Sequence, residues 1–145
     1  MNREQFQKYI DHFNKREYDA VTGYFAPDIV VEYYDDGSYA GPPARTLHGR
    51  KEFADTYKAL HEHTREVLEL GAFLTDGEHM FVELWTEFHT FRDSPPTYKR
   101  PPKKKGEVLV TTNWVLYTMK DDVMQHIKIA HWRVHDPKLA KFAAA

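Results

Sequence analysis

The sequence predicts an α+β fold in which three N-terminal helices close the pocket of a cone-shaped, curved antiparallel sheet. Three observations lead there. Apolar residues in the first part of the chain recur at helical spacing. The second half changes to long β-branched and aromatic runs parted by tight-turn sequences. The length of 145 residues suits one domain, residues 1–145. Helices followed by long sequential strands is an α+β layout, and strands of such length twist and curl. A curled sheet roofed by helices encloses an interior, and that interior is the expected site.

Each element has its own signal. Phe6, Tyr9, Ile10 and Phe13 share one helical face. After a polar break at Asn14 to Glu17, the residues Tyr18, Val21, Tyr24 and Phe25 suggest a second short helix stopped by Pro27. Ile29 to Tyr34 reads as a strand. Asp35-Asp36-Gly37-Ser38 and Gly41-Pro42-Pro43 are turn chemistry around a short strand or irregular loop. The helical period returns from Gly49 through Phe53, Tyr57, Leu60 and His61 and ends near His63. Four strands follow, over 65–74, 79–92, 107–119 and 123–134. Hairpin turns at Thr75-Asp76-Gly77-Glu78 and Lys120-Asp121-Asp122 join two of their pairs.

Composition excludes several function classes. Hydrophobic residues at 41% supply a real core, which argues against disorder. A net charge of -2 gives no global attraction to nucleic acid or anionic membrane. The absence of cysteine removes disulfides, thiol nucleophiles and iron–sulfur ligands. No apolar run approaches the roughly 20 residues of a membrane span. The polar N-terminus does not read as a signal peptide, so a cytoplasmic location is expected. The connection over 93–106 carries four prolines and five basic residues (Lys99, Arg100, Lys103, Lys104, Lys105). It is expected to be a solvated hairpin insertion rather than a nucleic-acid patch, because only Tyr98 is interleaved with the charges.

The stretches Tyr9-Ile10-Asp11-His12-Phe13, Tyr18-Asp19-Ala20-Val21, Tyr24 through Glu32 ("YFAPDIVVE") and Leu47-His48-Gly49-Arg50, with Phe53 and Tyr57, resemble the SnoaL-like branch of the NTF2-like superfamily. The resemblance implies a conical α+β barrel, commonly a homodimer through the outer face of the sheet. Members include isomerases, polyketide cyclases, dehydratases, epoxide hydrolases, lyases and binding modules, so fold alone does not settle function. The resemblance implies that Tyr9 matches the first-helix oxyanion donor of ketosteroid isomerases, and Tyr57 the third-helix tyrosine that supports it. The general-base aspartate of those enzymes follows the first strand's "TVE", where Tyr33 follows "VVE" here. Asn113-Trp114-Val115 holds no acid at the second oxyanion position. His131-Trp132-Arg133 stands where ring-closing cyclases would supply the acid of an aspartate–histidine pair.

Strand alternation separates two faces. Matching strand ends to the superfamily places Val82, Leu84, Thr86, Thr111, Asn113, Lys128, Ala130 and Trp132 inside. An error of one residue in register inverts each set. Tyr9, Tyr33 and Tyr57 are expected to converge as neutral donors to a developing oxyanion, against the alternative of plain aromatic packing. Lys128, between Ile127 and Ile129, is the expected base or anion holder if it points inward, and an exposed lysine if not; the opposite face of that strand would present His131 and Arg133 instead, with a histidine to move the proton, and the sequence leaves the two faces open. His61, one turn past Tyr57, with Thr111, Asn113 and Trp132, is expected to bind substrate. Phe81, Glu83, Trp85 and Glu87 read as a dimer face of mixed polarity. The spacing of His61, His63, His131 and His135 does not form a metal motif, and no phosphate loop or dinucleotide fingerprint occurs.

The expectation is therefore a small cofactor-independent enzyme. It would carry out acid–base chemistry (isomerisation, cyclisation, dehydration or lysis) on a small hydrophobic or aromatic substrate. It would act as a homodimer, without nucleic acid or membrane as partner. The alternative is a non-catalytic small-molecule-binding or dimerisation module of the same fold.

Overall fold

A computed structural model describes residues 1–35 and 41–143. The turn expected at Asp36-Gly37-Ser38 lies outside the described residues. Helix α1 spans Arg3–Asn14 and begins in a capping box. The Asn2 side chain accepts from the Gln5 amide at 2.8 Å, and the Gln5 side chain accepts from the Asn2 amide at 2.8 Å. Its buried face is Phe6, Tyr9, Ile10 and Phe13, the stripe that the spacing indicates. Helix α2, Tyr18–Thr22, is shorter than expected. Tyr24 and Phe25 do not continue it, because strand β1 already begins at Phe25 and runs to Tyr34. Pro27 falls inside that strand, within the register shift between Phe25 and Val30. A proline offers no amide to a ladder and is tolerated at such an irregularity. Strand β2 (Arg45–His48) leads into helix α3 (Gly49–His61).

Strands β3 (Thr64–Thr75), β4 (His79–Thr90), β5 (Val108–Lys120) and β6 (Val123–His135) complete a six-stranded sheet of order β2-β1-β6-β5-β4-β3. Asp121 and Asp122 both adopt left-handed backbone (φ 53° and 63°), as a two-residue hairpin turn requires. The sheet is curved and unclosed. It differs from the expected antiparallel sheet at one seam, where β1 runs parallel to β6. Sequential hairpins dictate antiparallel neighbours, but no short turn links β1 to β6. The three helices lie over the concave side, where one cluster of Phe6, Ile10, Phe25, Ile29, Met80 and Val82 is sealed from solvent.

On the convex side a carboxylate is fully buried. Glu87 accepts from Trp85 Nε1 (2.7 Å), the Lys141 amide (2.7 Å) and the Phe142 amide (3.1 Å), and pairs with His89 Nε2 (2.8 Å). Burial alone would raise its pKa, but these hydrogen bonds outweigh it and hold the carboxyl below its ordinary range. Glu87 thus fastens the segment after η1 (Pro137–Leu139) onto the sheet. Among the described residues, no helix is long and apolar enough to cross a membrane.

Phe6 packs against Tyr9, Phe73 and Tyr117 with ring centroids 5.3, 5.7 and 5.2 Å away. Phe6→Ala is expected to lower unfolding free energy by about 3–5 kcal/mol. Urea denaturation checks this, and a loss below about 1 kcal/mol would contradict the packing described here.

Candidate active site

The curled sheet and the helices enclose a cavity of about 610 Å³, within the range of small-molecule sites. Its deep wall is apolar and phenolic. Tyr9 and Phe13 enter from α1, Phe53 and Tyr57 from α3, Tyr33 from β1 and Tyr117 from β5. Exposed lining residues at the other end, among them Arg100, Pro101, Arg133 and Val134, mark its mouth.

Four phenols, Tyr9, Tyr33, Tyr57 and Tyr117, share this deep wall. The Tyr33 and Tyr57 hydroxyls are hydrogen-bonded at 2.5 Å. The rings of Tyr9 and Tyr117 meet edge to face at 6.3 Å. Burial pushes all four well above the ordinary tyrosine value, Tyr33 to about 12. For Tyr33, the Arg45 guanidinium and the Tyr57 hydrogen bond pull the other way. For Tyr57, the Tyr33 phenol and the Glu66 carboxylate add to the upward shift. All four are therefore neutral donors across the physiological range.

Beside them sits a pair that the sequence reading did not find. His131 Nδ1 lies 2.5 Å from Asp35 Oδ1, and both side chains line the cavity. The His131 ring stacks on Tyr33 at 6.4 Å and 24°. Asp35 holds the proton on Nδ1, which leaves Nε2 as the nitrogen able to exchange a proton with a ligand. Glu66 is a second buried carboxylate. It takes His61 Nε2 at 3.0 Å, while His61 Nδ1 meets the Tyr18 hydroxyl at 2.6 Å. Thr111 donates to Asn113 at 2.9 Å, and Asn113 donates to Thr86 at 3.0 Å. Both Thr111 and Asn113 line the cavity.

Two expectations need correction, and a third is only partly met. Lys128 is exposed and does not line the cavity. Partners directly opposite in an antiparallel ladder share a face. Asn113 pairs with His131, Val115 with Ile129 and Tyr117 with Ile127. The inward residues of β5 therefore turn Ile127, Ile129 and His131 inward and Lys128 outward. His61 is buried but faces away, both ring nitrogens being taken by Tyr18 and Glu66, so it lines an adjoining cleft instead. Trp132 reaches only the cavity's rim. It falls in the β5–β6 register shift, and its indole stacks on Trp114 at 4.3 Å.

The 93–106 segment also differs from a plain solvated extension. It is anchored by Ser94 and Lys103, whose amides bond the Lys103 carbonyl (2.9 Å) and Ser94 Oγ (2.8 Å). Tyr98 packs on His63 at 4.5 Å. Tyr98, Arg100, Pro101 and Lys103 thereby become cavity walls. The sequence shows the basic residues but not their folding back. Among the described residues, no three His, Asp or Glu side chains gather closely enough to hold a metal ion.

Residues 6–132 match the SnoaL-like domain family. The chain belongs to that family. No curated protein matches it significantly. Among solved structures, a candidate polyketide cyclase of Xanthomonas campestris pv. campestris superposes with a TM-score of 0.68 at 19% identity, covering 86% of this chain and 85% of the other. An LEH-like epoxide hydrolase of M. tuberculosis gives 0.61 at 9% identity, covering 86% and 77%. A protein of Catenulispora acidiphila with a ketosteroid isomerase-like fold, solved with trimethylamine, gives 0.60 at 13% identity, covering 89% and 85%. At these identities the SnoaL-like chain shares a fold with them, and the likeness carries no activity across.

The phenol cluster has a stability consequence. Up to about pH 10 the phenols are neutral in both folded and unfolded chains. Above it the unfolded chain ionises first, because the folded values are raised. Stability is expected to fall between pH 10 and 12, with Tyr33 alone accounting for about 2–3 kcal/mol by pH 12. Urea midpoints measured beside phenolate absorbance check this, and a midpoint unchanged across that window would contradict buried neutral phenols.

Proposed function

We propose that this SnoaL-like chain is a cofactor-independent acid–base enzyme acting on a small hydrophobic or aromatic carbonyl compound. One observation carries the reading: a histidine oriented by an aspartate and a hydrogen-bonded pair of neutral phenols face the same largely apolar cavity. A general base and a donor to developing negative charge are the two parts that enolisation needs.

The substrate's carbonyl oxygen sits against the Tyr33–Tyr57 pair. His131 Nε2 takes a proton from the carbon next to that carbonyl. The electron pair moves into the C–C bond as the carbonyl π pair moves onto oxygen, where one phenol of the pair donates to it while the other donates to that phenol. Linked hydroxyls share that charge along their hydrogen bond. Imidazolium then returns the proton to another carbon, which is isomerisation, or to a departing β-hydroxyl, which is dehydration. Asp35 steadies the imidazolium in between. Phe13, Phe53 and Leu84 keep the wall apolar, so the hydrogen bonds act in a low dielectric.

Two copies are the proposed assembly, joined over the convex face. Trp114 and Trp132, stacked on each other at the cavity's rim and 39% and 45% exposed, are a pair of indoles that a second copy would cover.

The test is exchange of solvent deuterium into a panel of aryl ketones, followed by mass spectrometry. His131→Asn is expected to slow exchange by about 10²–10⁴-fold, and Tyr57→Phe by about 10²–10³-fold. Lys128→Ala should leave the rate within about twofold, since it lies outside the cavity. Ligand binding without exchange would support a binding module instead. Full exchange in both site variants would refute the assignment.

A further inference from the structure

We infer that the ligand of this cavity carries a carboxylate, held at the mouth by Arg45, Arg100 and Lys103. The inference rests on the acid–base reading of the same cavity and names its substrate class. These cations come from two unrelated segments, strand β2 and the 93–106 insertion, yet line one cavity. Among the described residues, none of the three has a carboxylate within 4.0 Å. The two acids that share the cavity are committed elsewhere, Asp35 to His131 and Glu66 to His61.

Arg45 makes the strongest case. Its guanidinium lies over the Tyr33 ring at 4.1 Å and lines the cavity. A guanidinium stacked on a ring keeps its N–H edge free for an acceptor lying in its plane, and a carboxylate fits that edge. Arg100 and Arg45 both act on the Tyr33 and Tyr98 phenols, which sets the two cations around one stretch of cavity.

The insertion's charges also divide in a way that solvation alone does not require. Lys99, Lys104 and Lys105 face solvent outside the cavity, whereas Arg100 and Lys103 line it. The chain as a whole carries −2, so the positive mouth is local. A carboxylate held there leaves the other end of an aromatic acid to reach the phenols and His131.

The experiment is calorimetric titration of the full chain with benzoate, cinnamate and 2-naphthoate, each beside its neutral methyl ester. At least one acid is expected to bind about tenfold more tightly than its ester, the usual scale of a charge-assisted hydrogen bond. Arg45→Gln and Arg100→Gln should each remove most of that preference without weakening the ester. Lys104→Gln/Lys105→Gln, equally basic but outside the cavity, should keep it. Arg100 is exposed, so its variant stays interpretable even if Arg45→Gln folds poorly. If no acid exceeds its ester, or if the lysine double variant loses as much as Arg100→Gln, the inference is overturned. Loss of acid preference while deuterium exchange still requires His131 would strike the carboxylate inference alone. Acid preference with exchange indifferent to His131 would strike the acid–base reading alone.

Discussion

The pairing of Asn113 with His131 is the constraint on which the site depends. Val115 with Ile129 and Tyr117 with Ile127 continue the same ladder, and β1 agrees with it from the other side, Tyr33 lying beside Ile129. Once β5 turns Asn113, Val115 and Tyr117 into the hollow, geometry leaves β6 no choice of face. A histidine then enters the hollow and a lysine is turned out to water. The register shift between Thr112 and Asn113 comes just beyond this point and places Trp132 at the rim. One ladder thus decides which titratable group lines the cavity.

Much of the fold is legible in the sequence because periodicity and turn chemistry are local. The Phe6, Tyr9, Ile10, Phe13 stripe, the aspartates at the β5–β6 turn and the third helix from Gly49 all stand where local spacing puts them. Tyr9, Tyr33 and Tyr57 are legible for the same reason, since each sits on a predictable face of its own element, whereas Tyr117 is not among the expected donors. Elsewhere, local signals mislead or fall silent. Lys128 between two isoleucines looks like an inward residue, and only the neighbouring strand reveals otherwise. Asp35 and His131 are 96 residues apart in sequence, and no spacing rule joins them. His61 shares a helix face with Tyr57, but Tyr18 and Glu66 draw its ring aside, a contact made by three separate elements.

The two sides of the sheet handle buried polarity differently. On the convex side Glu87 is saturated by two side chains and two amides, and its role is structural. On the concave side the phenols, His131 and Arg45 line an enclosed space. Buried polar groups are normally satisfied within the protein. Polar groups gathered around one largely apolar hollow are the pattern of a small-molecule site.

The segment between β4 and β5 joins strands that are already paired along most of their length. The ladder closes through Thr90 and Glu107 before the chain departs over the opening. Its contribution to the walls is therefore modular. A graft of different length or composition at that place would reshape the opening while the cavity residues borne on β1, β6 and α3 keep their footing. Divergence of ligand choice among chains of this architecture has a ready route there, one that leaves the core untouched.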